Sequence, residues 1–168
     1  AGTLGDAALA LAALQGRTRL DPATLAALRV RLERPEPRVA LGLALRGVAS
    51  AALDVSDGLI GDVAHILAAS KVGAELALDK LPLAPALAQR LTGPERSLAL
   101  QCVLAGGDDY ELCFTATPLL RDRIAGIARA TGVRLTRIGV IRSTPGLVVR
   151  DERGAVLTPL PGAWDHFE

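Results

Sequence analysis

The sequence predicts an α+β fold, in which a mixed sheet is packed with helices, for one compact domain of 168 residues. Segments with helical periodicity and short β-branched runs follow one another without strict βαβ alternation, which argues against a doubly wound parallel sheet. Half of the residues are hydrophobic and only 2% are aromatic. We therefore expect a core built from aliphatic side chains.

Seven segments carry helix signals. Ala- and Leu-rich residues after Asp6 predict a first helix that Gly16 ends. Asp21 precedes Pro22, so a capping side chain stands before a favoured first helical residue, and this second helix should end before Pro35. Further helices are predicted over 38–46, over 59–67, from about residue 86, from residue 94 to about 104, and from residue 118 to about 131.

Short apolar or β-branched runs predict five strands, over 51–55, 73–78, 110–115, 135–141 and 147–150. The last two are separated by Ser143-Thr144-Pro145-Gly146, a turn sequence, and are predicted to pair with each other. The remaining connections are rich in Gly and Pro, which is typical of loops.

Charge and composition exclude several classes of protein. Lys and Arg number 19 against 18 Asp and Glu, so the formal net charge is +1 and argues against nucleic-acid and membrane-surface partners. No uncharged stretch approaches the roughly 20 residues that span a bilayer. Cys102 and Cys113 form neither a disulfide framework nor a zinc-type pair, and we expect reduced, buried thiols in a cytoplasmic protein. P-loop, Rossmann, zincin and α/β-hydrolase motifs are absent.

Asp54 and Asp57 form the first candidate site. Asp54 interrupts an apolar strand pattern, and Asp57 follows three residues later at the turn into a helix, so the two should lie close together. Two such carboxylates repel each other unless a cation lies between them, and Mg²⁺ prefers oxygen ligands. Gly58 would let backbone amides approach a phosphate at the helix start. The alternative is that Asp57, or equally Ser56, is only a helix N-cap.

Three acids after two glycines form the second candidate site, Gly-Gly-Asp-Asp-Tyr-Glu at residues 106–111. Asp108 and Asp109 suit a loop in which they merely accept hydrogen bonds from backbone amides. Glu111 is different, because strand alternation places it within the sheet, on the face opposite Tyr110 and Leu112. An embedded carboxylate needs a partner, and a ligand is one option.

The four aromatic residues are confined to two segments, at Tyr110 and Phe114 and at Trp164 and Phe167. Trp164 lies between small or polar neighbours, where an indole would stack on a planar ligand. The alternative is that the C-terminal tail packs back on a strand for stability alone.

These motifs, in this order, resemble the C-terminal domain of bacterial thiamine-monophosphate kinase, which belongs to the aminoimidazole ribonucleotide synthetase-like superfamily. The resemblance runs along essentially the whole chain. It is carried by residues 2–6 (Gly-Thr-Leu-Gly-Asp), 53–59 (Leu-Asp-Val-Ser-Asp-Gly-Leu), 65–67 (His-Ile-Leu), 106–112 (Gly-Gly-Asp-Asp-Tyr-Glu-Leu) and 164–167 (Trp-Asp-His-Phe).

The resemblance implies an enzyme that uses ATP and Mg²⁺ to convert thiamine phosphate to thiamine diphosphate, in the cytoplasm and as a homodimer. It implies metal contacts for Asp54 and Asp57, a nucleotide contact for Ser56, and substrate contacts for Glu111 and Trp164, with Phe167 competing with Trp164.

The chain opens without Met on a turn-like sequence that resembles a mid-protein junction. We therefore expect residues 1–168 to be a single C-terminal domain that lacks its N-terminal nucleotide and metal domain and is inactive alone. Two alternatives stay open. One is a related ATP-using enzyme acting on an aminoimidazole precursor or on selenide, and the other is a non-catalytic nucleotide- or partner-binding module.

Overall fold

A computed structural model describes residues 1–162 of the chain. Its α-helices are α1 Asp6–Leu14, α2 Pro22–Glu33, α3 Val39–Ala44, α4 Leu59–Ser70, α5 Pro85–Leu91, α6 Arg96–Leu100 and α7 Arg121–Thr131. Its strands are β1 Ala51–Val55, β2 Gly73–Ala77, β3 Glu111–Thr115, β4 Gly139–Arg142 and β5 Gly146–Arg150. This mixture of helices with a mixed sheet confirms the predicted fold class.

The predicted helices all form, with two changes of type, one of which is that the helix predicted from residue 118 begins with a 3₁₀ turn, Pro118–Leu120, before α7. Asp21 caps α2 by accepting a hydrogen bond from the Thr24 amide at 2.9 Å, as its position before Pro22 predicts. The helix predicted from residue 94 to about 104 is α6 followed directly by a π-helical turn, Gln101–Ala105. The last four residues of that turn, 102–105, are buried and lead straight into the Gly-Gly-Asp-Asp segment.

Strands β1 and β3 form a two-stranded antiparallel sheet in which Asp54 pairs with Leu112 and Val55 with Glu111. The predicted alternation is confirmed on β3. Leu112 packs against one core cluster and Cys113 against the other. The strand begins at Glu111 because Tyr110 is left-handed, with φ of 48°.

The predicted pairing of the last two strands with each other is wrong. β2 lies between them, antiparallel to β4 and parallel to β5. Glu75 on β2 is bridged on both sides, by Arg142 Nη2 at 3.5 Å and Arg150 Nε at 3.3 Å. Residues 135–138, predicted as the start of a strand, precede β4 without joining it. A local turn sequence shows where the chain reverses but not which distant strand takes the hydrogen bonds.

Two aliphatic clusters form the core, as the composition predicts. The larger joins α1, α4, α5, β2 and the π-helical turn, and includes Leu9, Leu59, Leu87 and Leu104. The smaller centres on Leu41, Leu45 and Val48, against α7 and the Leu112 face of β3. Cys102 is buried and Cys113 half-buried, and neither is in a disulfide. Within residues 1–162, no helix is both long enough and apolar enough to span a bilayer.

Candidate active site

Three glycine- and aspartate-rich segments that are far apart in sequence meet at one end of β1 and β3. The Gly5 amide donates to both carboxylate oxygens of Asp109, at 2.9 and 2.8 Å. The Asp108 amide donates to the Ser56 carbonyl at 2.9 Å. Tyr110 likewise donates its amide to the Val55 carbonyl, at 2.8 Å. The 53–59 and 106–112 motifs singled out in the sequence are therefore neighbours in space.

Asp54 lies near the end of β1 with its side chain exposed. It lines a cavity of about 410 Å³ together with Tyr110 and Leu112 of the second motif, with Pro35, Pro37 and Arg38 of the α2–α3 connection, and with Val39 and Gly42 of α3. A larger cavity of about 820 Å³ lies between the two sheets and α7, and it touches Glu111 but not Asp54, Ser56 or Asp57. Of the two predicted metal ligands, Asp54 therefore borders the smaller cavity, and Asp57 lines neither of these two cavities.

The turn after β1 is held by an acid that the sequence interpretation passed over. Asp62, in the first turn of α4, accepts hydrogen bonds from the Ser56 amide at 2.9 Å and the Asp57 amide at 3.0 Å. The N-cap of α4 is Gly58, so neither Ser56 nor Asp57 occupies that position and the N-cap alternative is wrong. The amides of Ser56 and Asp57 therefore already have an acceptor within the protein.

Gly58 is required where it stands. Its φ is 112°, a left-handed value that side chains rarely adopt, and a Cβ there would lie 2.8 Å from the Ala105 Cα. The turn therefore packs directly on the end of the π-helical segment. This contact fixes the start of α4 against the second motif.

Tyr110 is hydrogen-bonded to one carboxylate and lies within the electrostatic field of two more. The charge of Asp108, which also accepts the tyrosine hydroxyl's hydrogen bond at 3.3 Å, raises the pKa of the phenol, and the charges of Asp54 and Asp57 add to it. Ser56, Asp57 and Asp108 are each partly exposed. Residues 1–162 nevertheless contain no group of three or more His, Cys, Asp or Glu side chains placed to hold a metal ion. The arrangement is an acidic surface that fits part of a hard-cation site rather than a complete one.

Glu111 is buried beneath two arginines, with only 1% of its surface exposed. Arg38 donates from Nε to Oε2 at 2.9 Å and from Nη2 to Oε1 at 2.6 Å, and Arg31 Nη2 also donates to Oε1. Burial would raise the pKa of the Glu111 carboxyl, but the hydrogen bonds from Arg38 and Arg31 hold it below its ordinary value. Gly2, whose φ is 55°, contacts this carboxylate, and a Cβ at that position would overlap Oε1. The partner expected for an embedded carboxylate is therefore a pair of arginines.

Asp109 is a second buried acid, with 3% of its surface exposed. Burial raises its pKa to about 8, although the hydrogen bonds from the Gly5 amide favour the charged form. It satisfies a backbone amide, as the loop interpretation of Asp109 predicts. Its role is to join the 2–6 segment to the 106–111 segment.

We expect Asp109 to make the stability of the chain depend on pH. A carboxyl whose pKa is raised on folding favours the folded state fully below about pH 4, and this contribution is lost as the pH rises through about 8. In Asp109→Asn the group cannot ionise, but an oxygen still accepts from Gly5. Urea unfolding at pH 5, 6, 7 and 8 should show the parent losing stability relative to the variant, by up to about 1.4 kcal/mol per pH unit. A free energy of unfolding that changes with pH to the same extent in the parent and in Asp109→Asn would contradict this expectation.

Asp62, Arg31 and Arg38 are the site residues that sequence reasoning missed. A signal for Asp62 was present, because residues 59, 62, 63, 66 and 67 form one helical stripe that is otherwise apolar. An acid within such a stripe is buried and needs a partner. Nothing local marks the two arginines, whose shared partner is 80 and 73 residues away. Trp164 and Phe167, the predicted ring contacts, lie outside the described residues.

Residues 2–152 match the family described as AIR synthase related protein, C-terminal domain, and the chain belongs to that family. Within it the chain is similar to thiamine-monophosphate kinases, which confirms the resemblance seen in the motifs. It is 41% identical to the enzyme of Salmonella typhimurium over 99% of this chain and 50% of that protein. It is 39% identical to the enzyme of Haemophilus influenzae over 99% of this chain and 51% of that protein. The chain thus spans about half the length of these relatives.

Solved structures agree. The thiamine-monophosphate kinase of Stenotrophomonas maltophilia K279a superposes with a TM-score of 0.79 at 48% identity, covering 88% of this chain and 48% of that one. AaThiL complexed with AMPPCP and TMP superposes with a TM-score of 0.76 at 30% identity, covering 99% of this chain and 50% of that one.

Proposed function

We propose that residues 1–168 are the C-terminal domain of an enzyme that phosphorylates thiamine phosphate with ATP to give thiamine diphosphate. The observation that carries the proposal is that the 53–59 and 106–112 motifs meet through hydrogen bonds from the Asp108 amide to the Ser56 carbonyl and from the Tyr110 amide to the Val55 carbonyl, so that the acidic residues of both motifs lie at the same end of β1 and β3. The similarity to thiamine-monophosphate kinases supports it, as does the relative bound to AMPPCP and TMP. A surface with this charge would engage phosphates only through cations.

The chemistry needs little from the protein beyond alignment and neutralisation of charge. A phosphate oxygen of thiamine phosphate is already anionic near neutral pH, because its second pKa is about 6. It would attack the γ-phosphorus of ATP as the bond to ADP breaks, and no general base is needed. His65, the one histidine among the described residues, is exposed on α4 and is not required by this reaction.

Asp54 and Asp57 are proposed to contribute ligands for Mg²⁺, and Ser56 to contact the nucleotide. When bound, Mg²⁺ would neutralise the phosphate charges that otherwise repel each other. Because residues 1–162 hold no complete metal site, the remaining ligands are proposed to come from an N-terminal domain of the same enzyme. The relatives, twice as long as this chain, have room for such a domain.

Glu111 and Trp164 are proposed to contact the thiamine moiety, with Phe167 as the competing ring. Glu111 already accepts hydrogen bonds from Arg31 and Arg38. A carboxylate has about four acceptor sites and the two arginines use three of them, so one site is left for an amino-pyrimidine that enters through the larger cavity, which Glu111 lines. We also propose a homodimer in the cytoplasm, with no nucleic-acid or membrane partner.

The isolated 168-residue chain should show no turnover, whereas the full-length protein should form thiamine diphosphate. The reason is that, among residues 1–162, the acidic surface lacks the ligands that would complete a metal site. Product can be measured by chromatography with ATP, Mg²⁺ and thiamine phosphate. Turnover by the isolated chain would contradict the proposal that the metal ligands come from two domains.

Acceptor specificity separates the proposed reaction from its alternatives. The full-length protein should consume ATP when thiamine phosphate is added, but not when an aminoimidazole precursor or selenide is added. ATP consumption that depends on either of those instead would overturn the substrate assignment. Nucleotide binding without any consumption would favour a non-catalytic module.

A further inference from the structure

Asp62 occupies an unusual place for an acidic residue. It lies within the apolar stripe of α4, beside Val63, and only 6% of its surface is exposed. Its own amide continues the helix by donating to the Gly58 carbonyl at 3.0 Å. Its Oδ2 atom turns back to the preceding loop and accepts from both the Ser56 and Asp57 amides.

The loop that Asp62 holds carries the side chains proposed to bind metal and nucleotide. From the other side, the Asp108 amide holds the Ser56 carbonyl at 2.9 Å. Behind the loop, Gly58 packs on Ala105. Fixing the peptide groups of residues 56 and 57 fixes the direction in which the Asp57 side chain leaves the backbone.

A carboxylate also suits this position electrostatically. It turns two amide dipoles inward, where they would otherwise attract an anion at the start of α4. It also places a negative charge beneath the loop. Both effects favour a cation over a bare phosphate at the outer surface.

We propose that Asp62 is a positioning residue that sets the geometry of the 56–57 loop for binding a nucleotide together with its divalent cation. This inference rests on the proposed function. Groups that orient metal ligands from behind typically change metal affinity or activity by 10- to 100-fold when removed.

The test measures binding of Mg²⁺ and AMPPCP to the full-length protein by calorimetry, so that it does not depend on turnover. Asp62→Ala should weaken Mg²⁺-dependent binding by about 10- to 100-fold. Asp62→Asn keeps an acceptor oxygen at the same distance from the helix but removes the charge, so its affinity should lie between those of Asp62→Ala and the parent. Val63→Ala is the matched control, because it removes buried atoms from the same stripe but leaves the loop bonded, and its affinity should equal that of the parent.

Amide hydrogen exchange without ligand supplies a second readout. Asp62→Ala should remove protection from the Ser56 and Asp57 amides, and Val63→Ala should not. A folded Asp62→Ala protein with parental affinity for Mg²⁺ and AMPPCP would overturn the proposal, as would equal losses in Asp62→Ala and Val63→Ala. If Asp62→Ala does not fold, Asp62→Glu serves instead, since it keeps the charge but displaces the oxygen, and parental affinity there would also overturn the proposal.

These outcomes are separate from those that test the proposed function. A parent protein that binds Mg²⁺ and AMPPCP but does not phosphorylate thiamine phosphate refutes the substrate assignment, while the affinities of the Asp62 variants still decide this inference.

Discussion

Asparagine in place of Asp54 should lower kcat of the full-length enzyme by at least about 100-fold while leaving its fold intact. Replacing a residue that only orients a metal ligand lowers metal affinity or activity by about 10- to 100-fold. Replacing a ligand itself should therefore lower kcat by at least as much. Asp54 is exposed and has almost the same shape as asparagine, so its replacement leaves no cavity. The assay is thiamine diphosphate formation at saturating ATP and thiamine phosphate, with circular dichroism and thermal unfolding to confirm folding.

Asp122→Asn provides the control for this substitution. Asp122 is also exposed and lies in the first turn of α7. Its replacement by asparagine removes the same charge at a position away from the site. Its kcat should equal that of the parent. A parental kcat for Asp54→Asn would remove Asp54 from the metal site and leave the proposed reaction without its main physical support.

Removing the Glu111 carboxylate should lower the free energy of unfolding by several kcal/mol. Glu111→Ala would leave the guanidinium groups of Arg31 and Arg38, whose side chains are 22% and 13% exposed, without their shared partner. Breaking a buried ion pair by removing one member costs about 3–5 kcal/mol. We expect the lower end of that range, because both arginines have some access to water. Urea unfolding of the 168-residue chain measures the loss.

Glu33→Ala is the matched control for Glu111→Ala. Glu33 pairs with Arg29 on the exposed face of α2, and such pairs contribute about 0.3–0.5 kcal/mol. Equal losses of stability in the two variants would show that the buried cluster does not stabilise the fold.

In the full-length enzyme, a thiamine contact by Glu111 predicts that Glu111→Ala raises KM for thiamine phosphate more than KM for ATP. Equal effects on both substrates would count against that contact.

The sequence predicted most of the local structure because the signals for it are local. Asp21 before Pro22 marked the start of α2, and the alternation along 110–115 assigned Leu112 and Cys113 to opposite faces. The pairing of β4 and β5 could not be obtained this way. β2, which separates them, lies more than 60 residues earlier in the chain, and the turn at 143–146 carries no information about it.

The candidate site likewise has features that the sequence predicted and features that only the structure supplied. Spacing grouped Asp54, Ser56 and Asp57 as one candidate site, and strand alternation placed Glu111 within the sheet, where β3 begins. The structure added the partners of these residues. Asp62 holds the loop from behind, and two arginines hold Glu111.

The amino-acid sequence by itself determined the helices, the strands, the aliphatic core and the family of this protein, because these depend on residues near one another or on motifs that can be compared directly. Only the tertiary structure decided which strands pair, which acid orients the loop after β1 and which arginines neutralise the buried glutamate. The physical reason is that a buried charge or a free strand edge requires a partner of matching chemistry, and the chain can supply that partner from any distance along its length.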